Sequence, residues 1–207
     1  MTDSKYTHVV VVADRSGSMW GIAADMRGAL DAFFAEQAKA EGKTLVDYVQ
    51  FDNVAELVYE DRPAYAAEAI LDPRGSTALL DAVGFAVTNL GKKLAAKSED
   101  KRPGLVQVVV VTDGYENASR EWTAKEVKAL IKQQEDQYSW DFVFLGANMD
   151  AVAVGEGFGF KAGKSLTYDV NNTSAMSASL TGYAMRSRSA GSVDNAFTSA
   201  ERDAQKA

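Results

Sequence analysis

Asp14, Ser16 and Ser18 stand at alternate positions in the stretch HVVVVADRSGSMWG, with Gly17 between the two serines. A carboxylate and two hydroxyls so spaced can turn toward one point while the glycine takes a tight backbone. With neither sulfur nor imidazole among them, the set suits Mg2+, with Mn2+ or Ca2+ as alternatives, and is poor for zinc or copper. Two distant segments offer more oxygen of the same kind. Thr77 sits in PRGSTAL, a turn-rich loop leading into an apolar helix, and Asp113 follows the run Leu105 to Val111, apolar except for Gln107, in TDG. Taken alone, DRSGS also admits a plainer reading, a serine-rich turn whose hydroxyls cap the following helix.

The elements that must position these residues alternate. Val9 to Val12 is an unbroken β-branched run, as expected of a strand buried on both faces of a parallel sheet, with His8 at its start. Ile22, Met26, Ala29 and Phe33 then recur at helical spacing, and Gly42 stops that helix. Thr44–Phe51 and Val54–Tyr59 read as a hairpin turned by Asp52-Asn53, supplying an antiparallel edge. Arg62 to Leu71 admits either a short helix or a loop. Leu80, Val83, Val87, Leu90 and Leu94 keep helical phase before the strand Leu105–Val111. Thr123-x-x-Glu126 is a capping box that starts another helix, with Trp122 and Val127 at staple positions. Strands at Asp141–Leu145 and Ser165–Tyr168 flank a short helix over Asp150–Gly157, and Met176, Leu180 and Tyr183 suit one last, weakly amphipathic helix. This rhythm predicts an α/β fold, a doubly wound, Rossmann-like, mostly parallel sheet with one antiparallel edge strand and helices on both faces. In such a sheet the carboxyl ends of neighbouring strands open onto one crevice, where Asp14, Ser16, Ser18, Thr77 and Asp113 would meet.

DRSGSM, GSTAL and VTDG, in this order, resemble the metal-ion-dependent adhesion site of von Willebrand factor A domains, and the resemblance covers roughly residues 5 to 185. It implies that Ser16 and Ser18 bind a divalent cation directly, Thr77 directly or through water, and Asp14 and Asp113 mainly through water. It also implies a binding module that captures an Asp or Glu of a protein partner, with a shifting last helix in some members. Compact single-domain proteins of this type resemble bacterial and phage-encoded members. Arg15, Trp20, Arg74, Tyr115, Glu116 and Asn148 flank the ligand positions and are candidates for the rim that selects the partner.

The 207 residues fit one domain, taken as residues 1–187, followed by a polar tail over 188–207 with little to bury. With 46% hydrophobic and 25% charged residues the composition is that of a globular protein. A net charge of −7 argues against broad nucleic-acid binding, which needs a basic face. The lack of cysteine excludes disulfides and thiol catalysis and fits a reducing cytoplasm, the expected location. The start MTDSKYTHVVVV lacks a basic segment followed by an apolar core and cleavage site, so no secretory signal is expected. No stretch reaches the roughly 18 apolar residues of a membrane span.

Several lookalikes carry less weight. Gly163-Lys164-Ser165 has Phe158 where a phosphate loop needs its first glycine, so no nucleotide is expected. Gly157-x-Gly159-x-x-Ala162 precedes a strand instead of following one. His8, the single histidine, lies at the wrong end of its strand to serve Ser16 or Ser18 as a base, which disfavours a hydrolytic triad. Metal-dependent phosphoryl transfer on a similar sheet is the main alternative to a non-enzymatic binding module. It would want a second carboxylate at position 16, where Ser16 stands. A structural assembly subunit built on the same fold is a third reading.

Overall fold

The computed structural model describes residues 2–190 and 194–206. Its centre is a six-stranded sheet of β1 (Asp3–Asp14), β2 (Lys43–Phe51), β3 (Ala55–Pro63), β4 (Pro103–Thr112), β5 (Asp141–Ala147) and β6 (Ser165–Tyr168). The spatial order is β3-β2-β1-β4-β5-β6; every neighbouring pair is parallel except β2–β3. The helices are α1 (Ala23–Lys39), α2 (Leu79–Ala95), α3 (Ala124–Tyr138), α4 (Ala151–Phe158), α5 (Thr173–Ala190) and α6 (Ser199–Asp203).

Strand alternation divides the apolar residues between two layers. Val9, Val11, Val109, Val111, Val143 and Leu145 pack toward α1 and α5, while Val10, Val12, Val108, Val110, Phe142 and Phe144 pack toward α2, α3 and α4. Each valine buried this way contributes about 1.5–3 kcal/mol, so β1 and β4 are the anchor of both layers. Their order also fixes the crevice. From β1 the chain adds β2 and β3 on one side, then returns to lay β4 on the other. The carboxyl ends of β1 and β4 therefore lie side by side at the point where the winding reverses.

The expected elements are present, with differences at their edges. β1 begins at Asp3, which places His8 inside the strand instead of at its start. The hairpin loop has three residues, since Phe51 pairs with Ala55 and the Asp52 N–H donates to the Val54 carbonyl. The undecided Arg62–Leu71 segment ends β3, makes a single 3-10 turn at Ala64–Ala66 and then runs without regular structure. The capping box of α3 forms as expected, Thr123 accepting from the Glu126 N–H and Glu126 from that of Thr123.

The C-terminal residues correct the expectation of a polar segment with little to bury. The boundary drawn at residue 187 falls inside α5, and the described residues 197–205 are docked on the body. Phe197 is buried against Tyr183 with ring centroids 4.8 Å apart, Arg186 holds Glu201 at 2.8 Å, and Arg202 donates to the Ser165 carbonyl at 2.9 Å. A second capping box, Thr198 with Glu201, starts α6. One buried aromatic ring and two arginines are enough to hold this short segment against the β6 edge.

Candidate metal centre

Three loops build the site. Asp14 closes β1 and is fully buried; its Oδ1 accepts from the Ser16 N–H at 2.6 Å and its Oδ2 from the Thr112 hydroxyl at 2.5 Å. The first bond turns the backbone at Arg15, so Ser16 and Ser18 face the same way, their hydroxyls 3.0 Å apart. Ser18 in turn donates to Asp113 Oδ1 at 2.6 Å, linking the β1 loop to the one after β4. Thr77 arrives from the segment before α2. Its hydroxyl lies 3.0 Å from where a Cβ on Gly114 would stand, and Asp14 Oδ2 and Ser18 Oγ each lie 3.7 Å from that point. All five expected ligand residues therefore converge, and the smallest residue at position 114 leaves room among them.

The charge of the cluster is unbalanced. Burial pushes the Asp14 carboxyl up to about 6, against the pull of the Thr112 and Ser16 hydrogen bonds and with nearby Asp113 adding to the rise. Burial likewise raises Asp113 despite the Ser18 hydroxyl. Among the described residues neither carboxylate forms a salt bridge. Two carboxylates and three hydroxyls with no cationic side chain fit a hard divalent ion by the chemistry of the donors and by the uncompensated buried charge.

Residues not singled out from sequence hold the loops in place. Asp52, buried at the hairpin, accepts from Arg15 Nε at 3.0 Å and from Arg74 Nε at 2.8 Å, while its carbonyl accepts from the Ala78 N–H. Burial would raise its carboxyl, but the hydrogen bonds and the two guanidiniums hold it below its ordinary value. Asn53 Oδ1 accepts from the Ser76 N–H, and Gly75 adopts φ 69° against it, where any side chain would collide with the Asn53 amide. Asn117 exchanges hydrogen bonds with the Thr77 backbone, and Thr112 orients Asp14. Asp52-Asn53 registered in the sequence as turn residues only; their pairing with Arg15 and Arg74 carries no local signal.

The rim divides. Trp20 and Tyr115 are 69% and 62% exposed, and Asn148 is exposed at the end of β5 in the left-handed region. Arg74 is exposed but tied to Asp52. Arg15 is buried, so, against expectation, its charge is not open to a partner, and Glu116 is half-buried with its carboxylate bonded within its own loop. Arg15 is buried between Asp52 and Glu56, whose Oε2 lies 2.7 Å from Nη1. Glu116 accepts from the N–H groups of Leu80, Ala118 and Ser119 and from the Ser119 hydroxyl, closing its own loop and the start of α2.

A second group with ligand-type side chains, His8, Asp47 and Asp61, lies elsewhere in the sheet. Its cation is already present: Lys93 Nζ sits 2.7 Å from Asp47 Oδ2 and 3.2 Å from Asp61 Oδ1, and His8 bonds Tyr6 and faces Asp47. His8 is thus a packed strand residue. Lys164 of the phosphate-loop lookalike is equally committed, buried 2.6 Å from Asp141, which also accepts from Tyr183, Ser187 and Gln107.

Solved structures share this fold. A von Willebrand factor type A protein from Catenulispora acidiphila matches with a TM-score of 0.60 at 16% identity, over 86% of this chain and 42% of its own. The ArnB paralog VWA2 from Sulfolobus acidocaldarius matches with 0.53 at 20% identity, over 85% and 44%. Proximal thread matrix protein 1 from the mussel byssus, in a form with a zinc-occupied metal-ion-dependent adhesion site motif, matches with 0.59 at 13%, over 88% and 46%. The chain spans less than half the length of each. No family model matches the sequence, and no curated protein is significantly similar to it.

Proposed function

The chain has the von Willebrand factor A fold, and from that premise we propose that it is a metal-dependent protein-binding module whose cation site captures an acidic side chain of a partner. The supporting observation is the convergence of Asp14, Ser16, Ser18, Thr77 and Asp113, with a buried Asp14 carboxyl raised to about 6 and, among the described residues, no cationic side chain bonded to it. Ser16, Ser18 and Thr77 would offer neutral hydroxyls to the ion, with Asp14 and Asp113 holding the outer shell. A divalent ion, Mg2+ first and Mn2+ or Ca2+ otherwise, supplies a centre whose charge the hydroxyls leave largely intact and which therefore favours a further anionic ligand.

The surroundings favour a partner whose acidic residue is flanked by apolar ones. Arg15 is buried, Glu116 is bonded within its own loop and Arg74 is paired, whereas Trp20 and Tyr115, each two residues beyond a ligand position, are open to solvent. Exposed aromatics beside a charged centre are the residues that dominate binding energy at interfaces. His8 lies six residues down β1 from Asp14, about 20 Å away at strand spacing. It can neither accept nor deliver a proton at the site, which favours a binding role over hydrolysis.

The test is capture of proteins from source-cell extract on immobilised chain with Mg2+, with EDTA, and with Asp14→Asn in place of the wild type. A partner retained only by the wild type with Mg2+, and released by free glutamate-containing peptide, is the expected result. Partners retained equally in EDTA would refute the proposal.

A further inference from the structure

Arg188, in the last turn of α5, is half-buried and has no carboxylate partner among the described residues. Its Nη1 donates to the Thr7 hydroxyl at 2.7 Å, its Nη2 to Gln37 Oε1 at 2.7 Å and to the Thr44 hydroxyl at 3.2 Å, and its Nε to Gln37 Oε1 again at 3.3 Å. Those bonds spread the five N–H groups of a guanidinium over three oxygens, all of them neutral, and leave the second Nη1 N–H free. Burial lowers the pKa of the guanidinium, and no acidic group acts against it. The C-terminus of α5 offsets roughly half an elementary charge at most. A cation so placed, among neutral acceptors that are fewer than its donors, favours an anion beside it.

There is room for one. Arg188 lines a cavity of about 690 Å3 at the amino ends of β1 and β4. This is the opposite end of the sheet from the cation crevice, since Thr7 on its wall lies seven residues before Asp14, about 23 Å at strand spacing. The hydroxyls of Thr2 and Ser4 line the cavity and have no partner among the described residues. The one carboxylate on its wall, Glu41, is exposed and paired with Lys5 at 3.3 Å. Leu105 and Met185 give the cavity an apolar side. The volume is in the range of small-molecule sites and exceeds what a bare oxyanion fills. A charged end rich in donors suits a phosphate group, whose three terminal oxygens accept from more donors than the two of a carboxylate. We propose that this cavity binds a small phosphate monoester, with Arg188 as the counter-charge of the phosphate, Thr2 and Ser4 as hydroxyl donors, and the organic part against Leu105 and Met185.

Calorimetric titration of the chain with phenyl phosphate, inorganic phosphate and benzoate, in EDTA and at constant ionic strength, tests this while keeping phosphate from any cation in the crevice. The expected result is saturable binding of phenyl phosphate, with inorganic phosphate and benzoate each weaker by about 10-fold or more. Arg188→Gln removes the counter-charge, and Ser4→Glu sets a carboxylate on the cavity wall while leaving Arg188 and its bonds in place. Each should weaken phenyl phosphate by about 10-fold or more, with urea unfolding reading the fold of both variants. Should Arg188→Gln fail to fold, Ser4→Glu decides alone. Absence of saturable binding by the wild type would overturn the proposal and leave Arg188 as a brace between α5, α1 and the sheet. Phenyl phosphate bound as tightly by the folded variants as by the wild type would overturn it as well, and benzoate bound as tightly as phenyl phosphate would overturn the assignment to phosphate.

Discussion

Asp14→Asn should make the metal-free protein more stable while abolishing its response to metal. Burial lifts the Asp14 carboxyl from its ordinary 3.8 to about 6, so folding favours the protonated form. The resulting destabilisation is present in full above about pH 6 and is relieved as the pH falls toward 4. At pH 7 it amounts to about 3 kcal/mol. An amide at position 14 is neutral and keeps an oxygen for the Ser16 N–H; the Thr112 hydroxyl can turn to accept from the amide nitrogen instead of donating to Oδ2. In EDTA at pH 7 the variant should therefore melt about 5–10 °C above the wild type. In saturating Mg2+ the order should reverse or close, because ligand at 1,000 times its Kd adds about 4 kcal/mol to the wild type and nothing to the variant. Urea unfolding at pH 5 and pH 7, each with EDTA and with Mg2+, measures all of this, and the EDTA difference should shrink at pH 5. A variant less stable than the wild type in EDTA, or one equally stabilised by Mg2+, would refute the view of Asp14 as a buried charge held in readiness for a cation.

Other consequences follow from the braces and the rim. Asp52→Ala leaves the buried Arg15 guanidinium with Glu56 alone and unties the β1 loop, the hairpin and the Arg74 segment from one another, so unfolding should be easier by about 1–3 kcal/mol and metal affinity should fall with it, read by urea unfolding and calorimetry. Asp47 lies at about 2 because His8 and Lys93 together outweigh the upward push of burial. Its contribution, about 2 kcal/mol, is complete above pH 4 and lost as the pH falls through 2, so Asp47→Asn should flatten the acid limb of a stability–pH profile. Trp20→Ala and Tyr115→Ala should each weaken capture of the partner by 10-fold or more, about 1.4 kcal/mol, and leave Mg2+ affinity unchanged in calorimetry.

The sequence was sufficient wherever the deciding physics is local or periodic. Val9–Val12, and Leu105–Val111 with Gln107 as its one polar residue, are apolar enough to read as strands buried on both faces of a sheet, and the crevice rule for such sheets then brings Asp14 and Asp113 together without any coordinate. Thr123 and Glu126 announced their helix because a capping box is made by residues three apart. The Thr198–Glu201 box has the same three-residue spacing, but what docks its helix is distant in the chain: Phe197 on Tyr183, Glu201 on Arg186 and Arg202 on the Ser165 carbonyl.

Tertiary structure decided what depends on partners far apart in the chain. Whether Arg15 points outward or inward is settled by Asp52 and Glu56, 37 and 41 residues later, and the same arginine in the same motif would have served a rim had the hairpin carried neutral residues. Whether Glu116 reads a partner or closes a loop is settled by the N–H groups at the start of α2. Side-chain chemistry is written residue by residue, so the cluster of oxygens could be read in advance. Charge pairing is a sum over neighbours that only the closed sheet brings within a few ångströms, and that sum decided which of the flanking residues remained free to meet another molecule.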